Sequence, residues 1–472
     1  MAKWRRLLSI YRIRTTTLFT VFCLLAVVYL KTGHDSKIEE NFRQYGLAVQ
    51  PEPRIPDYAA NPVSKNGSVK EELKDEFVAA VLVICANRHQ AVKNHLGQLI
   101  KYRPNPKNFP IIISQDGSAV LVRNAIKEVA SEERYIFNQT HTPKGKNNYQ
   151  KIAEHYKWAL DTVFFEHGYS HVIITEEDLD IAPDFFLYFA ATKKLLMADK
   201  SLWCISAWND NGGSQLIDRK RPGLLWRTDF FPGLGWMLSR ETWRELSPGF
   251  PDIFWDDWMR RPDVKKERAC IRPEVSRTSH NMQVAGKGSS KGLYKKYLEA
   301  ITLPVEPINF LNLDLNYLKK ENYDLWMKRN LEEAKPISRE ELIAGKLDPQ
   351  NAYRSTFSNA RHYTDVAMKY SVMYDLRSGM PRTAYQGIVT FLVNGARVYF
   401  HSDLIQLDQF GNQTHTQVYN PDWEHQGRYL EFARQYCVTK WKGKCDPADP
   451  EMAAWIQKRR IKLQNWGKMI LI

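Results

Sequence analysis

From residue 77 onward, apolar and polar positions alternate between strand-like and helix-like stretches. Residues 77–88 (FVAAVLVICANR) form a near-continuous apolar run ending in Asn87 and Arg88, which predicts a buried strand. Residues 89–102 carry Val92, Leu96, Leu99 and Ile100 at helical spacing. A second apolar run at 109–114 (FPIIIS) ends at Gln115, Asp116 and Gly117, and a helix is expected over 119–132. Residues 135–137 predict a third strand. Residues 149–165 then put Ile152, Tyr156, Ala159 and Val163 on one helix face, with His155 beside them. The stretch 171–186 (HVIITEEDLDIAPDFF) is the pivot. Its β-branched run 172–174 reads as a buried strand, the acids Glu176, Glu177 and Asp178 follow, and Pro183 and Asp184 stand where a helix starts. Strands alternating with helices of this length imply βαβ units and a mostly parallel sheet, an α/β fold. Ligands bind such sheets beyond the carboxyl ends of the strands, so Arg88, Asp116 and the three acids converge on one rim.

Later segments are shorter and less periodic. Residues 202–211 (LWCISAWNDN) predict a strand running into a polar turn, and 230–237 (FFPGLGWM) an aromatic, glycine-rich stretch where backbone approaches a neighbour closely. Residues 252–261 (DIFWDDWMRR) set Asp256 and Asp257 between two tryptophans, and 286–292 (GKGSSKG) form a basic, hydroxyl-bearing loop. The texture changes near residue 322. Residues 354–376 and 387–402 predict a small α+β unit, in which Asn394-Gly395 marks a hairpin turn between two alternating runs. No pattern assigns a job to residues 406–472.

The N-terminus changes the picture of compartment. Lys3, Arg5, Arg6, Arg12 and Arg14 precede an uncharged run, residues 15–30, about 24 Å long as a helix. This length suits the thinner membranes of the early secretory pathway, with the basic flank cytosolic. No small-x-small cleavage site follows, so a retained anchor is expected over a signal peptide. Residues 1–14 are then a cytosolic tail, 15–31 the anchor, 32–76 a proline-bearing stem, 77–321 the catalytic domain and 322–405 the smaller domain. Sequons at Asn66, Asn138 and Asn412 agree with a lumenal address. Outside the anchor five cysteines remain, an odd number that leaves at least one thiol unpaired within the chain. The net charge of +14 is spread along the sequence without an arginine-rich arm or nucleic-acid motif, so it reads as a solvated face and no nucleic-acid partner is expected.

Each chemical candidate has a plainer alternative. Three adjacent carboxylates repel one another unless a cation neutralises them, and a hard divalent ion bridging substrate phosphates suits them; a solvated acidic turn is the alternative. Arg88 fits a surface ion pair, Asp116 a turn, and His155 a core histidine as readily as ligand contacts. Asp256 or Asp257 beside indole rings would be partly desolvated, as a general base needs; both also fit a helix N-terminus. The GKGSSKG loop either wraps a diphosphate or is an ordinary loop.

The strings FPIIISQDG, KIAEHYKWALD, EEDLDIAPDFFLYF, SAWNDNG, RTDFFPGLGWML, FWDDWMRRP, ACIRPEVSRT and PRTAYQGIVTF occur in the order of a known family. Across residues 77–400 the chain resembles the N-acetylglucosaminyltransferase I family of the glycosyltransferase-A class. The resemblance implies a Rossmann-like catalytic domain and an inverting, Mn2+-dependent transfer of GlcNAc from UDP-GlcNAc. The acceptor would be the 2-hydroxyl of the α-1,3-mannose of a high-mannose, Man5 N-glycan on a glycoprotein, on the lumenal side of the Golgi membrane. It assigns Asp178 to the metal, Glu177 to the ribose, Glu176 to the sugar and Asp116 to the uracil. Arg88 and His155 would hold the nucleotide, Asp256 would be the base flanked by Trp255, and Leu234 would lie near the sugar. Ser289 and Ser290 would close over the phosphates, and Cys204 would pair with Cys270. Two departures stand out: Glu177 replaces the family's usual Asp, and Gly117 replaces the cysteine of a second disulfide, so Cys85 is expected unpaired. The alternatives are transfer of GlcNAc to O-linked mannose and an inactive lumenal carbohydrate-binding protein.

Overall fold

The computed structural model describes residues 76–131, 133–284, 294–438, 440–446 and 449–458. The anchor and nearly all of the stem lie outside them, as does the GKGSSKG loop. Among the described residues no helix is long and apolar enough to cross a membrane.

The apolar runs become the central strands: β1 (Ala80–Cys85), β2 (Ile111–Asp116), β3 (Ile136–His141) and β4 (His171–Glu176). Next come β5 (Leu179–Ile181), β6 (Leu202–Ser206), β7 (Leu225–Thr228), β8 (Trp236–Ser239), β9 (Ala269–Pro273) and β10 (Thr278–His280). Eight of these form one sheet in the order β3-β2-β1-β4-β8-β6-β9-β7. Four of its seven pairings are parallel, and the antiparallel ones involve the short strands β7 and β8. β5 and β10 form a separate antiparallel pair.

Side chains alternate across a strand, and each face of this sheet has its own core. Val81, Val83, Ile111 and Ile113 face helices His89–Tyr102, Val120–Ala130 and Phe185–Ala198. Ala80, Leu82 and Ile112 face helix Asn148–Asp161 and Trp243. Both faces are covered, which is why the strands read as continuous apolar runs. Each fully buried aliphatic side chain adds about 1.5–3 kcal/mol over exposure. Register fixes the rim: Ile84 lies opposite Glu176 and Cys85 opposite Gln115, so β1, β2 and β4 end level.

Cys204 and Cys270 face each other on β6 and β9 and are disulfide-bonded. Closing a loop across 66 residues of sequence is worth about 4 kcal/mol through the unfolded chain. Cys437 pairs with Cys445, and Cys85 is buried and free, as its missing partner at Gly117 implied.

The later part builds β11 (Lys335–Pro336), β12 (Ala352–Phe357), β13 (Leu376–Arg377), β14 (Met380–Pro381), β15 (Ile388–Val393) and β16 (Ala396–Ser402). The second sheet has the order β11-β12-β16-β15. Asn394 and Gly395 make its hairpin turn at φ +51° and +89°, the left-handed pair that a two-residue turn needs. This sheet shares a core with the first: Tyr385, Ile388 and Tyr399 join the cluster that contains Trp226 and Trp326. The C-terminal extension is a structural part of the small unit. Its helix Asp422–Phe432 buries Trp423 against Phe357 and Phe400 together with Tyr419.

Candidate active site

The three acids beyond β4 have three different environments. Glu176 is partly buried, and its Oε1 accepts a hydrogen bond of 2.7 Å from the Tyr156 hydroxyl. Burial and the neighbouring Asp178 push this carboxyl up to about 7, against the pull of that hydrogen bond. Glu177 is 2 % exposed; one oxygen accepts from Arg88 Nε and the other from the Ala86 N–H, each at 2.6 Å. Burial raises its carboxyl and Arg88 offsets part of the rise. Asp178 Oδ2 accepts from Arg88 Nη1 at 2.6 Å, with His280 Nε2 at 3.7 Å. Burial works against the Arg88 cation, but Asp178 and Glu177 outweigh it and hold its proton more tightly than usual. A single guanidinium thus bridges two acids, and a hydroxyl serves the third.

Asp178 Oδ1 is buried and has no hydrogen-bond partner. A carboxylate oxygen in that state is costly unless something positive reaches it. Among the described residues no cluster of three or more His, Cys, Asp or Glu could hold a metal ion. Asp178 Oδ1 is thus a candidate hard oxygen ligand, of the kind that suits a divalent cation bound chiefly through substrate phosphates and water. Each oxygen of Glu177 already accepts one hydrogen bond from the protein, which fixes the carboxylate while leaving it lone pairs for a further donor.

At the end of β2, Asp116 is partly buried, and burial raises its carboxyl against Lys151 and His141. Gly117 turns the chain at φ +83° with open space around it. His155 is 1 % exposed, with Nε2 3.0 Å from Ser114 Oγ and Nδ1 unpartnered. Burial lowers its imidazole to about 4, so it is neutral at physiological pH. It is a core histidine beneath the strand end, 6.0 Å ring to ring from His141, whose residue lies opposite Asp116 in the ladder.

The tryptophan-flanked acids open the short helix Trp255–Met259, entered through Phe254 at φ +53°. Trp255 is buried and stacks on Tyr156 at 4.4 Å between ring centroids. Tyr156 therefore bonds to Glu176 with its hydroxyl and supports Trp255 with its ring, joining two segments eighty residues apart in sequence at roughly one ring's breadth. The indole turns inward while Asp256 turns out: its side chain is 47 % accessible and Oδ2 lies 2.8 Å from Arg260 Nη1. The Asp256 carboxylate is therefore half exposed and ion-paired one helical turn on, rather than enclosed by the indoles. Asp257 is held well below the carboxylate range by Arg377 and Arg260, although burial opposes them.

Leu234 lies in a strained turn. Gly233, Leu234 and Gly235 have φ of +70°, +52° and +89°, and the Leu234 carbonyl accepts from Thr278 Oγ1 at 2.6 Å. A Cβ at Gly235 would sit 2.6 Å from Thr278 Cγ2, so only glycine fits. Left-handed conformation at a branched-chain residue costs about 1–2 kcal/mol and persists where surroundings impose it. Ser289 and Ser290 lie outside the described residues.

The structure thus gathers Arg88, Glu176, Glu177 and Asp178 at the rim and links Trp255 and Asp256 to them through Tyr156. Asp116 stands at the end of the neighbouring β2, with His155 beneath it. Sequence reasoning missed Tyr156, Arg260, His280 and Arg377. Only Arg260 carried a visible signal, its spacing of four from Asp256 on a helix.

The chain matches the model described as GNT-I family over residues 52–414. It is 38 % identical over 330 residues to the alpha-1,3-mannosyl-glycoprotein 2-beta-N-acetylglucosaminyltransferase of Arabidopsis thaliana, covering 68 % of this chain and 73 % of that one. Among solved structures it is similar to the mannosyltransferase PcManGT from Pyrobaculum calidifontis in complex with GDP-Man and Mn2+, with 17 % identity, 50 % of this chain and 64 % of that chain covered, and a TM-score of 0.30. It is also similar to S. aureus TarS in complex with UDP, with 10 % identity, coverage of 58 % and 77 %, and a TM-score of 0.32.

Proposed function

We propose, from the premise that this chain belongs to the GNT-I family, that its active site lies at the rim of β1, β2 and β4. The chain transfers N-acetylglucosamine to an α-1,3-linked mannose of glycoprotein glycans. The finer assignments are our own: UDP-GlcNAc as donor, Mn2+ as metal, the mannose 2-hydroxyl of a Man5 N-glycan as acceptor, and inversion at the anomeric carbon. The observation that carries the placement of the site is the Tyr156 bridge, which brings the helix of Asp256 to the carboxylates beyond β4.

In this reading Asp256, half exposed on its helix, accepts the proton of the mannose 2-hydroxyl as that oxygen attacks the anomeric carbon. The new glycosidic bond forms as the bond from that carbon to the diphosphate breaks on the opposite face, and UDP leaves with the electron pair. Asp178 Oδ1 would hold the cation, which when bound supplies positive charge where the departing diphosphate gains negative charge. Arg88 holds Asp178 and Glu177 in place with a 2.6 Å contact to each. Asp116 reaches the base of the nucleotide, and His155 supports that strand end from below. Leu234 would border the sugar, and Ser289 and Ser290, which lie outside the described residues, are proposed for the phosphates.

Residues 15–31 act as a single-pass anchor with the catalytic part in the Golgi lumen. Protease protection of sealed microsomes tests this orientation; digestion of the C-terminal part in intact vesicles would overturn it. Transfer is tested by offering UDP-GlcNAc, with Mn2+ or with chelator, to a Man5 N-glycan and to an O-mannosyl peptide. Metal-dependent product on the N-glycan alone is expected; product on the peptide alone would reassign the acceptor.

A further inference from the structure

The C-terminal extension, to which no sequence pattern gave a role, reaches the candidate base through a path of four hydrogen bonds. Glu424, on helix Asp422–Phe432, accepts a 2.6 Å hydrogen bond from the Ser378 N–H at the tip of the β13–β14 hairpin. The fit there is close: a Cβ at Gly379 would lie 2.0 Å from the Asn420 carbonyl oxygen. The hairpin carries Arg377, whose Nε donates to Asp257 Oδ1 at 2.9 Å. Arg260 Nη1 donates both to that same oxygen, at 2.9 Å, and to Asp256 Oδ2 at 2.8 Å. Arg260 Nε donates to the Phe231 carbonyl at 3.2 Å, at the entry to the Leu234 turn. Arg260 is 5 % exposed, and its guanidinium is therefore held at three points.

Charges alternate along this path. Beyond Arg377 they continue to Asp375, which pairs with Arg382 at 2.7 Å, and on to Asp210, 2.7 Å from Arg382. Two positive and two negative groups lie at the Asp256 end, so Arg260 is shared between two carboxylates. Without Asp257, or with Asp257 free to swing, Arg260 would close on Asp256 alone. The carboxylate would then be tied to a buried cation and turned from the hydroxyl it has to meet. Misplacement of a reacting group by about 1 Å can cost roughly 100-fold in rate.

We propose that the C-terminal extension positions the catalytic base: Glu424 sets the hairpin, Arg377 sets Asp257, and Asp257 and Arg260 together set Asp256. This rests on the assignment of Asp256 as the base. Glu424, Arg377 and Asp257 are positioning residues that act through Arg260.

The test is a double-mutant cycle on the full chain with Glu424→Ala and Arg377→Met. It is read as kcat on a Man5 N-glycan, KM for UDP-GlcNAc and melting temperature. Parent turnover is measured first, since its absence would defeat the transferase reading and leave positioning out of account. Each variant is expected to lose about 10- to 100-fold in kcat while donor KM stays within about twofold. The double variant should lose no more than the worse single one, and Glu424→Gln, which keeps an acceptor oxygen for Ser378, should recover most of the loss. If Arg377→Met yields no folded protein, Arg377→Lys replaces it under the same criteria. Parent-level kcat in either single variant, losses that multiply in the double variant, or kcat and donor affinity falling together with melting temperature would each overturn the proposal.

Discussion

Replacing Arg88 with methionine tests how the acid cluster is held together. The guanidinium makes two 2.6 Å contacts, to Glu177 and Asp178, whose side chains are 2 % and 6 % accessible. Breaking a buried pair from one side leaves an uncompensated charge and typically costs about 3–5 kcal/mol. Two features reduce the loss. Arg88 itself is 31 % accessible, so water screens part of the interaction, and Glu177 keeps its bond from the Ala86 N–H. The net expectation is about 2–3 kcal/mol at pH 7. The sign with pH follows from linkage. Burial already raises the Glu177 carboxyl and Arg88 lowers it, so losing Arg88 raises it further above its unfolded value. The folded variant then binds more protons than the unfolded chain, and its stability rises as pH falls from 7 toward 5. Urea unfolding of parent and variant in chelator, at pH 7 and pH 5, is the assay. A deficit that narrows on acidification supports the reasoning. A deficit under about 1 kcal/mol at pH 7, or one that widens at pH 5, would refute it.

Three further outcomes are expected. Asp178→Ala should abolish Mn2+-stimulated transfer and weaken Mn2+-dependent binding of UDP, followed by calorimetry; unchanged metal dependence would remove Asp178 from that role. Replacing Cys204 and Cys270 together with alanine should cost about 4 kcal/mol in urea unfolding, with Cys437–Cys445 left intact in a peptide map. Because burial lowers His155 to about 4 from an ordinary 6.5, its contribution to stability is full above 6.5 and is lost as pH falls toward 4. His155→Gln should therefore flatten the acid side of the stability profile by about 3 kcal/mol, measured as urea midpoints between pH 7 and pH 4.

The parts of the fold visible in the sequence were those with a local cause. β1, β2 and β4 are apolar because helices cover both faces of the sheet, and Asn394-Gly395 announces its turn because both residues accept positive φ. β7 and β8 are four residues each, too short to show a period, and their antiparallel pairing was not foreseen. Within the site, the strand-end positions of Arg88, Asp116 and the three acids followed from topology alone. What adjacency could not supply was direction. The Trp255 indole and the Asp256 carboxylate are neighbours in sequence, but the indole is buried against Tyr156 while the carboxylate is half exposed. Tyr156 fits an apolar helix face by spacing, and only the structure shows its hydroxyl on Glu176. Arg377 reaches Asp257 across 120 residues of sequence, a separation that no periodicity reports.

The most direct measurement compares Asp256→Asn with the parent for UDP-GlcNAc affinity and for turnover on a Man5 N-glycan. The account predicts an unchanged donor dissociation constant and turnover reduced by about 100-fold or more. Transfer at the parent rate would contradict it.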